Sequence, residues 1–365
     1  FIAKNRVDLT PEIDVDAIRI AYLLKKICFR KRRPCCKGFL LFVPILSGKL
    51  MVYIKGGAHM RLLTRSDFDG LACAVFLKEA GVIDHWKFVH PKDLQDGLVE
   101  VTREDCLANV PFVEGCGLWF DHHSSEDERN AAYKGKYRGE SRTSPSCAHI
   151  IYDYYGGRER FPGYDDLLEA VDKVDSANLS IDEVLHPNDW ILLGFIMDPR
   201  TGLGRFHDFR ISNYALMEEM IDWCRTKDIH EIMAEADVRE RIELYWDQND
   251  KFIDMVKAHT TVENRIIISD LRGVNPIYTG NRFLIYSLYP DANISVWIVN
   301  GKGGKGCSAA VGYSILNRTC TIDVGALMLK YGGGGHRVVG TCQFSDDTME
   351  EKLEELLKDM KRLND

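Results

Sequence analysis

The chain has 365 residues, 45% hydrophobic and 28% charged, with a net charge of −8, so it has room for two domains and the composition of an ordinary globular protein. No run of eighteen apolar residues occurs, which argues against a membrane-spanning helix and a membrane partner. The eleven cysteines form no CxxC pair and have no regular spacing, which argues against a disulfide framework and predicts a cytoplasmic location.

The first 59 residues differ from the rest of the chain in charge. They hold twelve lysines and arginines against four aspartates and glutamates, a net charge of +8, so the remaining residues carry a net charge of −16. They show no sustained helical or strand period, and we interpret them as an extension ahead of a start at Met60, with a targeting segment as the alternative. The acidic remainder disfavours a long polyanion held by charge alone and favours a small phosphorylated substrate.

Strands and helices alternate from Met60 onward. Such alternation is typical of an α/β domain with a mostly parallel sheet, which we place at residues 60–200. Ligands of such sheets bind at the carboxyl ends of the strands. The spacing predicts strands at residues 61–64, 86–89, 98–101 and 117–120, and helices at residues 71–80, 147–155 and 164–174.

The second half of the chain predicts a different architecture. Two amphipathic helices, at residues 213–226 and 234–258, indicate a helical linker at residues 201–262. A smaller α/β domain follows at residues 263–346, and a helix occupies residues 347–365. The predicted elements of the smaller domain are strands at residues 265–269, 294–300, 308–313 and 341–344 and a helix at residues 323–331.

Three short motifs carry the side chains of a candidate active site. Asp67 and Asp69 lie one residue apart between a strand and a helix, an Asp-His-His tripeptide at residues 121–123 follows a strand, and four glycines precede His336. Each motif alone has an ordinary structural explanation, as a capped helix start, a polar loop or a tight turn. Together, their carboxylates and imidazoles suit Mn²⁺ and related divalent ions, and no set of cysteines for zinc accompanies them.

In this order the three motifs resemble the DHH phosphoesterase superfamily, which is named for the tripeptide seen here at residues 121–123. The resemblance extends over residues 60–344 and includes the DHH-associated C-terminal domain with its glycine-rich motif. Residues 91–97, 118–126 and 197–206 are similar to a branch described as exopolyphosphatase-related.

The resemblance implies a metal-dependent phosphoesterase in which a metal-activated water attacks a small phosphorylated substrate. A short oligonucleotide or a bisphosphorylated nucleoside is the expected substrate. Two alternatives stay open. One is an exopolyphosphatase or pyrophosphatase that hydrolyses a phosphoanhydride. The other is a degenerate, non-catalytic protein that acts as a nucleotide-binding regulatory module.

The resemblance also implies which residues act. Two divalent ions are expected, with Mn²⁺ preferred and Mg²⁺ or Co²⁺ as alternatives. Asp121 and His123 are expected to orient the metal ligands or to contact phosphate. The family's second motif is an aspartate after a strand, for which we take Asp105, with Asp93 and Asp96 as alternatives. Its fourth motif is an aspartate about fifty residues after the tripeptide, for which we take Asp175, with Asp172 as the alternative. The implied metal ligands are Asp67, Asp69, Asp105, His122 and Asp175.

One position departs from the family pattern. The family's first motif usually opens with a histidine two residues before the first aspartate, and this chain has Arg65 there. Because arginine stays protonated it cannot bind a cation, so we expect either a weaker second metal site or a phosphate contact from Arg65. The implied substrate-binding residues come from both domains, which predicts a small substrate held between two lobes. These residues are Arg65, Arg318, Gly333, Gly334, Gly335 and His336. A homodimer is left open.

Overall fold

The computed structural model describes residues 59–123, 137–201 and 203–364, except for the side chains of Arg200 and Lys302, and also the backbone of four two-residue strands. Those strands form two antiparallel pairs, Leu41–Phe42 with Tyr53–Ile54 and Ile45–Leu46 with Lys49–Leu50. The predicted extension at residues 1–59 lies otherwise outside the described residues.

A five-stranded parallel sheet forms the first half of the fold, with the strands in the order β2-β1-β3-β4-β5. Alternate side chains of a strand enter two apolar clusters on opposite faces, so that Leu62 packs in one cluster and Leu63 in the other. Burial of both faces is typical of a parallel sheet. The strands are β1 (Met60–Thr64), β2 (Ile83–Phe88), β3 (Asp105–Ala108), β4 (Leu118–Asp121) and β5 (Gly139–Ser141).

Helix α1 (Phe68–Glu79) lies at the centre of this half. Every residue from Phe68 to Leu77 is buried, as expected for a helix that is apolar on all sides. The helices that follow it are α2 (Pro91–Gln95), α3 (Cys147–Tyr154), α4 (Gly157–Arg160), α5 (Asp165–Asp175), α6 (Ile181–Leu185) and α7 (Asp189–Met197). Helices α3 and α5 both pack against α1.

Three further α-helices follow α7 along the chain and precede the second sheet. Helix α8 packs on α1, where ion pairs join Lys78 to Asp222 at 2.7 Å and Arg225 to Glu79 at 3.0 Å. The segment predicted to be a linker therefore contributes to the core of the first half, and the domain limits at residues 200 and 262 stay predictions. The three helices are α8 (Asn213–Thr226), α9 (Ile229–Ala234) and α10 (Ala236–Ala258).

A six-stranded, mostly antiparallel sheet forms the second half, in the order β6-β7-β8-β9-β11-β10, with β7 and β8 parallel. Its strands are β6 (Thr260–Glu263), β7 (Ile266–Asp270), β8 (Ile294–Asn300), β9 (Cys307–Tyr313), β10 (Gly334–His336) and β11 (Val339–Phe344). Three helices accompany the sheet, α11 (Leu284–Leu288), α12 (Val324–Lys330) and α13 (Met349–Leu363). Residues of α12 and α13 form one apolar cluster with the sheet. On the other side, the Trp297 ring stacks on Phe252 of α10 at 6.1 Å between centroids.

The predicted α/β architecture is confirmed, and most predicted elements are present with shifts of a few residues. The strand predicted at residues 98–101 is wrong, because those residues form a loop in which Leu98 is 74% exposed and the strand starts at Asp105. Besides β3, the sequence did not predict strands β5, β6 and β10 or helices α2, α4, α6, α7, α9 and α11. In the part of the chain that the structure describes, no helix is both long and apolar enough to cross a membrane.

Candidate active site

The turn after β1 carries two buried aspartates. Asp67 caps helix α1, because its Oδ1 accepts the N–H of Gly70 at 2.9 Å. Asp69 lies in the first turn of the helix and is 1% exposed. A Cβ at Gly70 would lie 2.0 Å from the carbonyl oxygen of Arg65, so the turn can close only with glycine at this position.

Asp69 is held by the start of helix α3. Its Oδ2 accepts the N–H of Cys147 at 3.0 Å and its Oδ1 that of Ala148 at 2.8 Å. Burial, and then the nearby charge of Asp175, raise the pKa of Asp69 to about 7, although His122 opposes the rise. A buried carboxylate near a second carboxylate is stabilised by a cation, so the position favours a bound metal.

The Asp-His-His tripeptide begins at the last residue of strand β4. Asp121 is buried, and its Oδ1 accepts the backbone N–H of His122 at 3.0 Å and lies 2.8 Å from Nδ1 of His123. Burial alone would lower the pKa of His123, but the hydrogen bond with Asp121 outweighs it and the pKa is raised. Asp121 therefore orients the residues that follow it.

His122 has one ring nitrogen fixed and the other turned inward. Its Nδ1 lies 3.2 Å from the carbonyl oxygen of Ser144, and because a carbonyl can only accept, Nδ1 carries the proton. The lone pair is then on Nε2, which is buried and has no hydrogen-bond partner among the described residues. A histidine with one nitrogen anchored to a carbonyl and the other available is the usual arrangement of a metal ligand.

Asp69, His122 and Asp175 come together as a cluster that could hold a metal ion. One ligand atom from each side chain lies within 4.8 Å of the others. His122 Nε2 is 3.3 Å from Asp175 Oδ2 and 3.7 Å from Asp69 Oδ2. Asp69 lies in helix α1, His122 directly follows strand β4, and Asp175 ends helix α5, so sequence-distant elements converge at the carboxyl edge of the first sheet. Two carboxylates and one imidazole suit a divalent ion.

Asp172, the alternative to Asp175, is engaged elsewhere. Its Oδ2 lies 2.6 Å from Nδ1 of His149, and this hydrogen bond raises the pKa of His149. Its Oδ1 accepts the hydroxyl of Ser146 at 2.6 Å, and the same hydroxyl oxygen accepts the N–H of His149 and so caps helix α3. Of the two aspartates, the structure brings Asp175 to the cluster.

Asp67 has different partners from Asp69. Its Oδ2 is 3.1 Å from Nε of Arg65, and its Oδ1 accepts a hydrogen bond from Nδ2 of Asn109 at 3.0 Å. Asn109 was not predicted as a site residue. It follows β3, in the left-handed backbone region with a φ of 56° that asparagine tolerates, so a correct prediction of that strand could have found it.

The prediction of Asp105 as a metal ligand is corrected by the structure. Asp105 pairs with Arg61 across the sheet and so lies at the amino end of β3, whereas Asp67 follows the carboxyl end of β1. Its carboxylate binds Nε of Arg61 at 2.6 Å and Nη2 at 3.0 Å, and it accepts the N–H of Thr102 at 2.7 Å. The error follows from the strand placed at residues 98–101, which put Asp105 after a strand instead of at the start of one.

The alternatives to Asp105 lie in and after α2. Asp93 is in the first turn of that helix and Asp96 ends it, where Asp96 forms an ion pair with Lys92 at 2.5 Å. Neither belongs to the cluster of Asp69, His122 and Asp175.

The glycine-rich motif forms a hairpin at the edge of the second sheet, where β10 pairs with β11. A Cβ would lie 2.0 Å from the Thr341 carbonyl oxygen at Gly333 and 2.3 Å from that of Val339 at Gly335, so the close backbone approach of the hairpin requires glycine. Gly334 has open space around it, and His336 is exposed. The role of these residues as a phosphate cradle stays a prediction.

Arg318 connects the second half of the fold to the segment that carries Asp175. Its Nε donates to the carbonyl oxygen of Ile315 at 3.0 Å, and its Nη2 donates to that of Ala177 at 3.0 Å. Ala177 is two residues after Asp175, so the guanidinium of Arg318 lies next to the chain that leaves the cluster.

Comparison with solved structures identifies the family. A pGpG-specific phosphodiesterase from Vibrio cholerae, PggH, is 42% identical, with a TM-score of 0.73, and the match covers 83% of this chain and 99% of that one. The chain belongs to the DHH phosphoesterase superfamily. It is therefore a hydrolase of phosphate esters.

A second solved structure shares the fold. It is a DHH domain described as belonging to a family of ribosomal proteins, at 14% identity and a TM-score of 0.51, and the match covers 95% of this chain and 99% of that one. No family model matches the chain, and a search of curated proteins also gave no match.

Proposed function

We propose that this phosphoesterase hydrolyses the phosphodiester bond of a short oligonucleotide, with the dinucleotide pGpG as its best substrate. One observation carries the proposal: the 42% identity with a pGpG-specific phosphodiesterase extends over 99% of that enzyme. The acidic body of the chain supports a short substrate, because a net charge of −16 after residue 59 repels the phosphates of a longer strand.

We propose that Asp69, His122 and Asp175 hold a divalent metal ion. The buried, unpartnered Nε2 of His122 and the raised pKa of Asp69 both fit a cation among these three side chains. Mn²⁺ is the expected ion, with Mg²⁺ and Co²⁺ as alternatives, because the ligands are oxygen and nitrogen atoms. When bound, the ion supplies positive charge for the phosphoryl oxygens and lowers the pKa of a bound water.

The neighbouring residues then bind and orient the substrate. Asp121 holds the His123 ring, whose centroid lies 4.4 Å from that of His122. Against the effect of burial, Asp121 raises the pKa of His123, so the imidazolium form is favoured and its Nε2–H is a donor beside the cluster for a phosphoryl oxygen. Arg65 is a second donor at the same edge of the sheet, next to Asp67. From the second half, Arg318 and His336 contact the remote part of the dinucleotide and position the scissile phosphate.

We also place the enzyme in the cytoplasm and leave a homodimer open. The eight described cysteines are all free thiols, as is usual in a reducing compartment.

A hydrolysis panel tests the proposed function. Purified full-length chain with Mn²⁺ is assayed on pGpG, longer oligonucleotides, a bisphosphorylated nucleoside, a cyclic dinucleotide and polyphosphate. We expect pGpG to be cleaved to mononucleotides with the highest kcat/KM, and chelation to abolish the cleavage. Faster release of phosphate from polyphosphate would favour the anhydride hydrolase, and binding of pGpG without turnover would favour the regulatory module.

A further inference from the structure

Arg65, Asp67 and Asn109 form a hydrogen-bonded group beside the metal cluster. Both carboxylate oxygens of Asp67 are engaged, Oδ1 by the N–H of Gly70 and by Nδ2 of Asn109, and Oδ2 by Nε of Arg65. Asp67 is buried, so these contacts replace water. The carboxylate is therefore neutralised by protein groups alone.

A two-ion centre needs a different set of side chains at these positions. The family pattern has a histidine where this chain has Arg65, and its second motif supplies a carboxylate, which the corrected strand β3 places near Asn109. Arginine stays positively charged and has no lone pair for a metal. An asparagine amide adds no negative charge, even where its oxygen faces an ion. The second site has thus lost its imidazole and one carboxylate, and gained a fixed positive charge.

The first site shows the opposite arrangement. Nε2 of His122 is buried without a hydrogen-bond partner among the described residues, and Asp69 and Asp175 bring two carboxylates to it. Asp67 is not part of that group of converging ligand atoms. The two halves of the expected two-ion centre therefore differ, since a guanidinium lies against the carboxylate of the second half and none is part of the cluster of the first.

We propose that this chain binds one divalent ion, at Asp69, His122 and Asp175, and that the Arg65 guanidinium replaces the second ion as a permanent charge. This inference rests on the proposed function, and it replaces the two ions expected from the sequence with one. The side chain of Arg65 is 34% exposed, so its outer N–H groups can reach a phosphoryl oxygen while Nε stays on Asp67. Arg65 neutralises substrate charge but cannot acidify a water, so that task falls to the single ion.

Metal stoichiometry tests this inference without an activity readout. The full chain is stripped with chelator, dialysed and titrated with Mn²⁺ by calorimetry, with elemental analysis of the loaded protein and an electron paramagnetic resonance spectrum. We expect one equivalent of Mn²⁺ and the spectrum of an isolated ion. Two equivalents with an exchange-coupled spectrum would overturn the inference and leave the proposed phosphodiesterase intact. No bound Mn²⁺ would overturn both.

Matched variants give a second, independent test. The double variant Arg65→His with Asn109→Asp restores an imidazole and a carboxylate beside Asp67, and we expect it to bind two equivalents and to show exchange coupling. Arg65→Lys keeps the positive charge and is expected to bind one. A far-ultraviolet circular dichroism spectrum checks that each variant is folded. Two equivalents in Arg65→Lys would contradict the role of the charge, and if the double variant fails to fold, the wild-type stoichiometry still decides.

Discussion

Two aspartates at opposite edges of the first sheet are equally buried but have different surroundings. Asp69, near the carboxyl edge, and Asp105, at the amino edge, are each 1% exposed. Asp105 binds the guanidinium of Arg61 through both oxygens, whereas Asp69 is held by two backbone N–H groups and faces a second carboxylate. Burial alone does not distinguish a structural carboxylate from a functional one, but the presence or absence of a protein cation does.

The largest expected difference between the two aspartates is in activity. Asp69→Asn removes a charged ligand, and we expect kcat/KM on pGpG to fall by more than ~100-fold, because changing residues that only orient metal ligands already costs ~10–100-fold. Steady-state kinetics with saturating Mn²⁺ measure the loss. Asp105→Asn is the control, with kcat/KM near the wild-type value at a temperature where it is folded. A comparable loss in both variants would mean that Asp105 takes part in catalysis.

Metal-dependent stability should distinguish the same two residues. An ion that binds only the folded state adds ~2.7 kcal/mol to the free energy of unfolding when present at roughly 100 times its Kd. We expect this gain in the wild type and in Asp105→Asn, measured as the difference between urea unfolding with Mn²⁺ and with chelator. The gain should be absent in Asp69→Asn. An undiminished gain in that variant would place the ion elsewhere.

Asp105→Asn should instead destabilise the chain in the absence of metal. Removing one partner of a fully buried ion pair costs about 3–5 kcal/mol, but the side chain of Arg61 is 32% exposed, so we expect about 2 kcal/mol. Urea unfolding with chelator present gives the value. The double variant Arg61→Gln with Asp105→Asn leaves no unpaired charge and should lose less than the single variant. Equal losses would show that the hydrogen bond from Thr102, and not the ion pair, is the main contribution.

A variant in the second sheet sharpens the comparison by leaving both edges of the first sheet intact. His336→Ala should lower kcat/KM on pGpG by ~10-fold, or ~1.4 kcal/mol, if one hydrogen bond to a phosphate is lost. Hydrolysis of a small aryl phosphate ester, which reaches only the metal cluster, should not change. The two substrates are compared in parallel assays on the same preparation. An equal loss on both would place the effect of His336 at the cluster itself.

The α/β class could be predicted from the sequence, because the alternation of strands and helices is a local pattern. The family resemblance implied Asp69, His122 and Asp175 as ligands, and the structure brings these three side chains together. The family's second motif, an aspartate expected after a strand, was misplaced at Asp105 for a physical reason. Strand β3 has only four residues and begins with a charged one, Asp105, so its burial depends on the neighbouring strands and not on its own pattern. A more apolar stretch at residues 98–101 was preferred, and Asn109 was missed in consequence.

The choice between neighbouring aspartates was also beyond local patterns. Asp172 and Asp175 lie one helical turn apart on α5, and only the positions of Ser146 and His149 show that the first is engaged and the second faces the cluster. The effect of Arg65 on the metal site could be predicted only in part from the sequence. Its inability to bind a cation follows from residue type, whereas its contact with Asp67 required the fold.

The hydroxyl of Ser146 links the two helices on which the metal ligands depend. It caps α3, whose first N–H groups hold Asp69, and it donates to Asp172 on α5, the helix that ends in Asp175. The two carboxylates thus share one mechanical support, which fixes their spacing before any ion arrives. A ligand set that needs little rearrangement loses little conformational entropy when it binds a metal, so this preorganisation increases the metal affinity. Such a rigid gap also discriminates among cations by radius, because it cannot expand to accommodate a larger ion.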